Sequence, residues 1–186
     1  QVGANELMAR GLLKMVDDYQ LTNLNGFADE LFQRTENAMR SAISELPDGT
    51  YEYEFQTDGG EDPYVFHIAL IVSGDQIITD FTGTSPTQPR AINCVYAYTY
   101  AMTAYALKCA LLPDTPNNEG MFRPFSIKAP DDNLVNTSYP AAVVARSNTG
   151  HYVPILVFGA LQQIIPEKIM AGVGSPLWVF TVTGVD

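Results

Sequence analysis

Hydrophobic residues recur every three or four positions through the first part of the chain, which is the spacing of amphipathic helices. Leu12 and Met15 belong to one such face and predict a helix over residues 4–20. A second apolar stripe, preceded by residues that favour helix N-caps, predicts a helix over residues 23–45. We expect the two helices to form a hairpin over residues 1–46 that packs on the rest of the chain.

The spacing of apolar residues then changes to that of β-strands. Aromatic and acidic or amide residues alternate from Tyr51 to Gln56, which predicts a strand with two different faces. Residues 64–72 are nearly all apolar, so we expect a strand that is buried on both faces. A turn at residues 73–75 joins it to a predicted partner at 76–82 in a hairpin.

The longest apolar run extends from residue 91 to residue 112. Its length would suit a membrane span, but Asn93, Thr99 and Lys108 interrupt it, and four tyrosines are spread along it rather than placed at its ends. We therefore predict a helix buried in a protein core, which Pro113 ends.

Weaker patterns predict a short strand near 122–128, a strand of small residues at 140–146, a helix over 154–164 and a strand at 177–183. Helices followed by strands and then by mixed elements indicate an α+β fold. It would have an N-terminal helical hairpin, antiparallel strands and a long buried central helix. The expected domains are the hairpin over residues 1–46 and an α+β core segment over residues 47–186.

Charge and cysteine content narrow the classes of function. The net charge of −11 and the isoelectric point near 4.4 disfavour nucleic acid and anionic membranes as partners, because both would be repelled. Cys94 and Cys109 are the only cysteines, and both lie in the apolar run. This pattern predicts two buried, unreactive thiols and a cytoplasmic location rather than a disulfide framework.

Few residues suggest chemistry directly. The sequence has no phosphate-binding loop and no Gly-x-Ser-x-Gly nucleophile motif. His67 lies within a predicted buried strand and is expected to be a core histidine with its hydrogen bonds satisfied. His151 lies where a loop meets a helix, as a cap, a surface residue or a functional group. Asp80 and the hydroxyl residues after it favour a side-chain turn over a metal or phosphate site.

The segment from Asn117 to Pro124 offers both a structural and a functional interpretation. Asn118 and Glu119 could present an amide and a carboxylate to a ligand, although asparagine and glycine also favour turns. Arg123 could hold an anion in a bidentate way or pair with one of the 21 acidic residues. The sequence leaves these alternatives open.

Several ordered motifs together resemble the hydantoinase B/oxoprolinase family. They are Leu-Pro-Asp-Gly-Thr-Tyr (46–51), Asp-Phe-Thr-Gly-Thr-Ser-Pro (80–86), Ala-Ile-Asn-Cys (91–94), Pro-Asn-Asn-Glu-Gly-Met-Phe-Arg-Pro (116–124) and Tyr-Pro-Ala-Ala-Val-Val (139–144). The resemblance covers nearly the whole chain and implies an interior fragment of a longer subunit.

The resemblance implies a fragment of the B-type subunit of an ATP-dependent cyclic-amide hydrolase, similar to N-methylhydantoinase and 5-oxoprolinase. An A-type subunit or domain would bind ATP, and the substrate would be a small molecule acted on by a hetero-oligomer. The family's metal-binding motifs would lie upstream of Gln1. No cofactor is therefore expected in this fragment, whereas ATP and a divalent metal are implied for the full complex.

Two other functions remain open. Residues 145–151 depart from the Gly-Asn-x-Glu-Thr-Ser-Gln-like stretch of many members, which leaves the large chain of an ATP-dependent ketone carboxylase as an alternative. A non-catalytic scaffold for the assembly of subunits is the other alternative. If the chain belongs to an enzyme, we expect the isolated fragment to be inactive. We hypothesise that Asn118, Glu119 and Arg123 face the substrate region or a boundary between subunits, with His151 near them.

Overall fold

The computed structural model describes residues 1–59, 62–172 and 184. The elements are α1 (Val2–Asp18), α2 (Asn25–Ser44), β1 (Gly49–Thr57), β2 (Tyr64–Ser73), β3 (Gln76–Asp80), α3 (Tyr96–Leu111), α4 (Glu119–Phe122), β4 (Phe125–Lys128), α5 (Arg146–Gly150), α6 (Tyr152–Leu161) and a 3-10 turn at Pro166–Lys168. Helices and one mixed sheet share a single apolar core. The predicted α+β fold is confirmed.

The sheet has the strand order β1-β2-β3-β4. The first three strands are antiparallel, as predicted, and β4 joins β3 in parallel with Ile77 opposite Phe125. Along β2, Phe66, Ile68 and Leu70 are fully buried, whereas the residues between them are half-buried. Helix α6 packs on the Phe66 face of β2. The opposite face is only half-buried, so the prediction that this strand is buried on both faces is wrong.

Helix α3 is the predicted central helix, and it buries seven of its 16 residues. It begins at Tyr96, five residues later than predicted. Cys94 instead pairs its backbone with Leu134 and Thr137, so the chain enters the helix only after these loop contacts. Within the described residues, no helix is both long and apolar enough to cross a membrane.

The two N-terminal helices occur where the sequence predicts them. Helix α2 buries Thr35, Met39 and Ile43 against the core, but α1 buries no residue. Most of its apolar side chains are exposed, with Leu7 at 74% and Met8 at 69%, and only Met15 and Val16 are half-buried. The prediction that the N-terminal helices pack on the rest of the chain therefore holds for α2 only.

The predicted strand at 140–146 is wrong. This segment is irregular, and its backbone bonds run to isolated loop carbonyls, as from Ala145 N to Ala91 O at 2.8 Å, because no neighbouring strand is available. The strand predicted near 122–128 is β4, which follows the short helix α4. The helix predicted over 154–164 is α6, and the strand predicted at 177–183 lies outside the described residues.

Candidate functional site

The loop after β3 uses its hydroxyl groups to complete the sheet. Strand β3 pairs only with the second half of β2, which leaves the backbone of Val65 and His67 without a strand on that side. The Ser85 hydroxyl accepts from Val65 N at 2.9 Å, and the Thr84 hydroxyl bridges His67 N and O at 3.0 Å each. These hydroxyls are therefore engaged by the backbone of β2, and they stabilise the fold rather than bind a ligand.

His67 lies against this loop on the half-buried face of β2. Gly83 has a positive φ of 100°, and a Cβ there would come within 3.2 Å of the His67 ring. His67 Nδ1 is buried and finds no hydrogen-bond partner among the described residues. The expectation of a satisfied core histidine is therefore wrong.

Asp80 forms the side-chain turn that the sequence favoured. Its Oδ1 accepts from Thr82 N at 2.8 Å and from the Thr82 hydroxyl at 2.6 Å, and its Oδ2 binds Lys128 Nζ at 2.6 Å. Burial acts to raise the pKa of Asp80, but the bonds from Lys128 and Thr82 outweigh it and hold the pKa below its usual value. The carboxylate is thus ionised and already paired.

Asn93 organises the loops that precede α3. It is fully buried, and its Oδ1 accepts from Gln88 N at 2.7 Å. Its Nδ2 donates to the carbonyl oxygens of Gln88, Arg90 and Ala142 at 2.8–3.0 Å. Asn133 has a similar role, with bonds to Phe81 O and Thr84 O. In the sequence, Asn93 stood out as a polar interruption of an apolar run and as part of the Ala-Ile-Asn-Cys motif, but neither pattern gave it a role.

Three of the four predicted site residues lie where α4 packs on α2. Asn118 caps α4, since its Oδ1 accepts from Met121 N at 3.3 Å and from the Thr35 hydroxyl at 2.6 Å. Its Nδ2 is buried and has no partner among the described residues. Glu119 is exposed in the first turn of α4. This corner is therefore built largely around a helix cap.

Arg123 closes the same corner by pairing with an acidic residue. Its guanidinium lies 3.0 Å from Glu36 Oε2 and stacks 5.5 Å from the centre of the Phe32 ring. Hydrogen bonds from Arg40 and then from Arg123 lower the pKa of Glu36. Since Glu36 already pairs with Arg123, an added anion would compete with this carboxylate for the guanidinium.

His151 lies elsewhere, at the junction of α5 and α6. It opens onto a cavity of about 440 Å³, whose other lining residues are Met102, Tyr105, Pro154, Ile155, Phe158, Met170, Ala171 and Gly172. The cavity wall is thus mainly apolar, with His151 and the Tyr105 hydroxyl as its polar side-chain groups. None of Asn118, Glu119 and Arg123 lines this cavity. The four candidates are therefore divided between two places.

A close helix contact fixes the position of His151. A Cβ on Gly150 would lie 1.9 Å from the Tyr98 ring, so α5 approaches α3 at a distance that only glycine permits. The His151 backbone N donates to Ser147 O at 3.2 Å, which continues α5 into α6. The segment 145–151, which the sequence marked as unusual, is therefore what presents His151 to the cavity.

The two thiols differ in exposure, contrary to the prediction that both are buried. Cys94 is buried and donates to Arg146 O at 3.1 Å, whereas Cys109 is exposed on α3. Burial raises the pKa of Cys94 to about 12. At pH 8 we expect iodoacetamide to label Cys109 alone, because the Cys94 thiol stays protonated and covered.

Peptide mass spectrometry of the native and the urea-unfolded protein measures this difference. Labelling of Cys94 should appear only after unfolding. The Cys109→Ser variant should remove all native labelling, and labelling of native Cys94 at the rate of Cys109 would contradict its burial.

Among residues 1–59, 62–172 and 184, no three His, Cys, Asp or Glu side chains come together as a metal site would require. Two of the carboxylates described above have other partners: Lys128 for Asp80, and Arg40 and Arg123 for Glu36. The arrangement best suited to a small ligand is the cavity beside His151, since apolar walls with a few convergent polar groups are typical of such sites.

The profile of the family described as Hydantoinase B/oxoprolinase matches residues 1–186, so the chain belongs to this family. A relative from Pseudomonas sp. (strain NS671), named as the B-type subunit of a "Putative D-/L-hydantoinase", is 33% identical over 94% of this chain and 32% of its own length. The 5-oxoprolinase 1 of Arabidopsis thaliana is 28% identical over 77% of this chain and 12% of its own length. The chain thus spans about a third or less of these relatives.

Two solved structures share the fold. The ATP-dependent caprolactamase from Pseudomonas jessenii aligns with a TM-score of 0.82 and 24% identity over 90% of this chain and 30% of that protein. A nucleotide-free acetone carboxylase aligns with a TM-score of 0.60 and 12% identity over 72% of this chain and 20% of that protein. At these identities the likeness concerns the fold.

Proposed function

We propose that this chain is part of the B-type subunit of an ATP-dependent enzyme that opens cyclic amides. The observation that carries the proposal is the 33% identity, over 94% of the chain, to a protein named as the B-type subunit of a hydantoinase. The name of the caprolactamase, whose fold this chain shares, also describes an ATP-dependent reaction of a cyclic amide. An A-type subunit or domain would bind the ATP.

We place the substrate region at the cavity beside His151. A lactam combines an apolar ring edge with one amide group, and a hydantoin carries a second carbonyl and N–H in its ring. Phe158, Ile155 and Met102 provide apolar contact for the ring, and His151 provides a group that can hydrogen-bond to the amide. Because Gly150 packs closely against Tyr98, the backbone that carries His151 is held in place before the substrate arrives.

ATP hydrolysis by the full-length complex tests the reaction class. The substrates are a hydantoin, 5-oxoproline, 2-pyrrolidinone and caprolactam, with acetone plus bicarbonate as the comparison. We expect a cyclic amide to stimulate ATP hydrolysis and to appear as its ring-opened product. Stimulation only by ketone plus bicarbonate would replace the proposal with the carboxylase alternative, and no stimulation by either would overturn both.

Single substitutions test the two proposed site regions. We expect His151→Asn to lower kcat/KM by about 100-fold if the imidazole contacts the reacting amide. Asn118→Ala should lower it less, because Asn118 does not line this cavity and would act through the cap of α4. Asn37→Ala, at an exposed position of α2, is the matched control. Unchanged turnover in both His151→Asn and Asn118→Ala would remove these residues from the site.

A further inference from the structure

The cavity beside His151 carries no charged wall. Its described lining residues include no Lys, Arg, Asp or Glu. A neighbouring cavity of about 290 Å³ shares Ile155 and Phe158 with it, and its other lining residues are also uncharged. The two cavities therefore form a continuous, uncharged surface along α6.

The parts of this chain that the structure does not describe contain no Lys, Arg or His. Residues 60–61 are Gly and Glu, and residues 173–186 contain no Lys, Arg or His. The chain as a whole carries a net charge of −11. A carboxylate in this cavity would lose its hydration and meet no Lys or Arg side chain among the described lining residues. The overall charge would also disfavour the approach of an anion.

The structure points to a neutral ring as the ligand of this cavity. We propose that the site takes uncharged cyclic amides with an apolar flank and discriminates against rings that carry a carboxylate. His151 would hydrogen-bond to the amide, and the ring carbons would lie on Phe158 and Ile155. This inference rests on the proposed function and makes it narrower, since hydantoin-type and lactam rings fit the site and 5-oxoproline does not.

The test compares two substrates that differ in charge but hardly in shape. 5-Oxoproline and 5-oxoprolinamide share one ring, and only the first carries a carboxylate. In the full-length complex we expect kcat/KM for ATP-coupled ring opening to be roughly 100-fold higher for the amide. Equal rates, or a preference for 5-oxoproline, would overturn the inference and leave the proposed ring opening intact. If no cyclic amide is opened, the proposed function fails as well.

A charge placed at the cavity tests where the discrimination arises. Tyr105 is 57% exposed at the cavity rim, so an arginine can be accommodated there without entering the core. We expect Tyr105→Arg to raise the ratio of kcat/KM for 5-oxoproline to kcat/KM for 5-oxoprolinamide by about tenfold. The reason is a charge-assisted hydrogen bond from the new guanidinium to the carboxylate of 5-oxoproline. Tyr105→Leu, a neutral change at the same position, should keep the preference for the amide.

Tyr96→Arg controls for net charge. It adds the same charge to an exposed position of α3 that does not line the cavity. In Tyr96→Arg, the ratio of kcat/KM for 5-oxoproline to kcat/KM for 5-oxoprolinamide should equal that of the wild type. An equal shift in Tyr96→Arg and Tyr105→Arg, or no shift in Tyr105→Arg, would show that substrates do not bind in this cavity and would overturn the proposal.

Discussion

Replacing Gly120 by alanine is expected to destabilise the fold by about 3 kcal/mol, the upper part of the usual range for overpacking. A Cβ at this position would come 2.1 Å from Phe32 O and 2.6 Å from Phe32 C and Cα. These are backbone atoms inside α2, so they cannot rotate away as a side chain would. Helix α4 would have to move off α2 and would carry Asn118 and Arg123 with it.

Urea unfolding of the intact protein, followed by circular dichroism, measures the decrease in the free energy of unfolding caused by Gly120→Ala. Hydrogen exchange of the α4 amides shows whether the loss begins at the contact with α2. Gly26→Ala is the matched control, because Gly26 lies in α2 and a Cβ added there would meet no neighbouring atom within 4 Å. That change should be neutral or stabilising by up to about 1 kcal/mol. A Gly120→Ala variant as stable as Gly26→Ala would mean that α4 does not pack as described.

Replacing Asn93 by aspartate should cost about 4 kcal/mol in the free energy of unfolding, although the two side chains have the same shape. The change keeps the acceptor for Gln88 N. It removes the NH2 group that holds the carbonyl oxygens of Gln88, Arg90 and Ala142, and it turns an ionisable oxygen toward them. Because Asn93 is fully buried, water cannot replace the lost donors.

The control for Asn93→Asp is Asn37→Asp. Asn37 is exposed on α2, and its Oδ1 accepts from Gln33 Nε2, a bond that aspartate retains. This variant should unfold within about 0.5 kcal/mol of the wild type. Asn93→Leu removes the hydrogen-bond donor and the acceptor of this side chain without adding a carboxylate. Comparing it with Asn93→Asp therefore separates the effect of the charge from that of the lost hydrogen bonds. Wild-type stability in both Asn93 variants would show that the loops before α3 do not depend on this side chain.

The motifs that mark the family act mostly on the fold. In the segment 80–86, Thr84 and Ser85 bond the backbone of β2 and Asp80 closes a turn. Asn93 and Gly120, from two further motifs, hold loops and helices together. Recognising these motifs therefore identifies the family but does not by itself locate a binding site.

Where the apolar spacing is regular, the sequence predicted the structure well. Helices α1 and α2, the β2–β3 hairpin and the central helix α3 occur where predicted, because burial of one helix or strand face dictates that spacing. The prediction of a strand at 140–146 is wrong for the converse reason. Its small residues suit a strand, but a strand also needs a neighbour with free backbone groups, and none lies there.

The candidate site was predicted only in part. His151 was singled out because polar groups at turns that flank a rigid buried helix would be held in place, and it lies on an apolar cavity of about 440 Å³. Its partners there, Met102, Tyr105 and Phe158, gave no sequence signal, since each looks like an ordinary apolar helix residue. Arg123 had two interpretations in the sequence, and only the fold brings Glu36 to within 3.0 Å of it.

By itself the sequence determined the α+β class, the approximate positions of the longer regular elements and the family. These follow from local spacing and from motifs of consecutive residues. Only the tertiary structure decided which polar residues are engaged by the fold and which face a cavity. Such contacts join residues far apart in the chain, as Asn93 joins Ala142 and α5 joins α3, and their geometry depends on how the whole core packs.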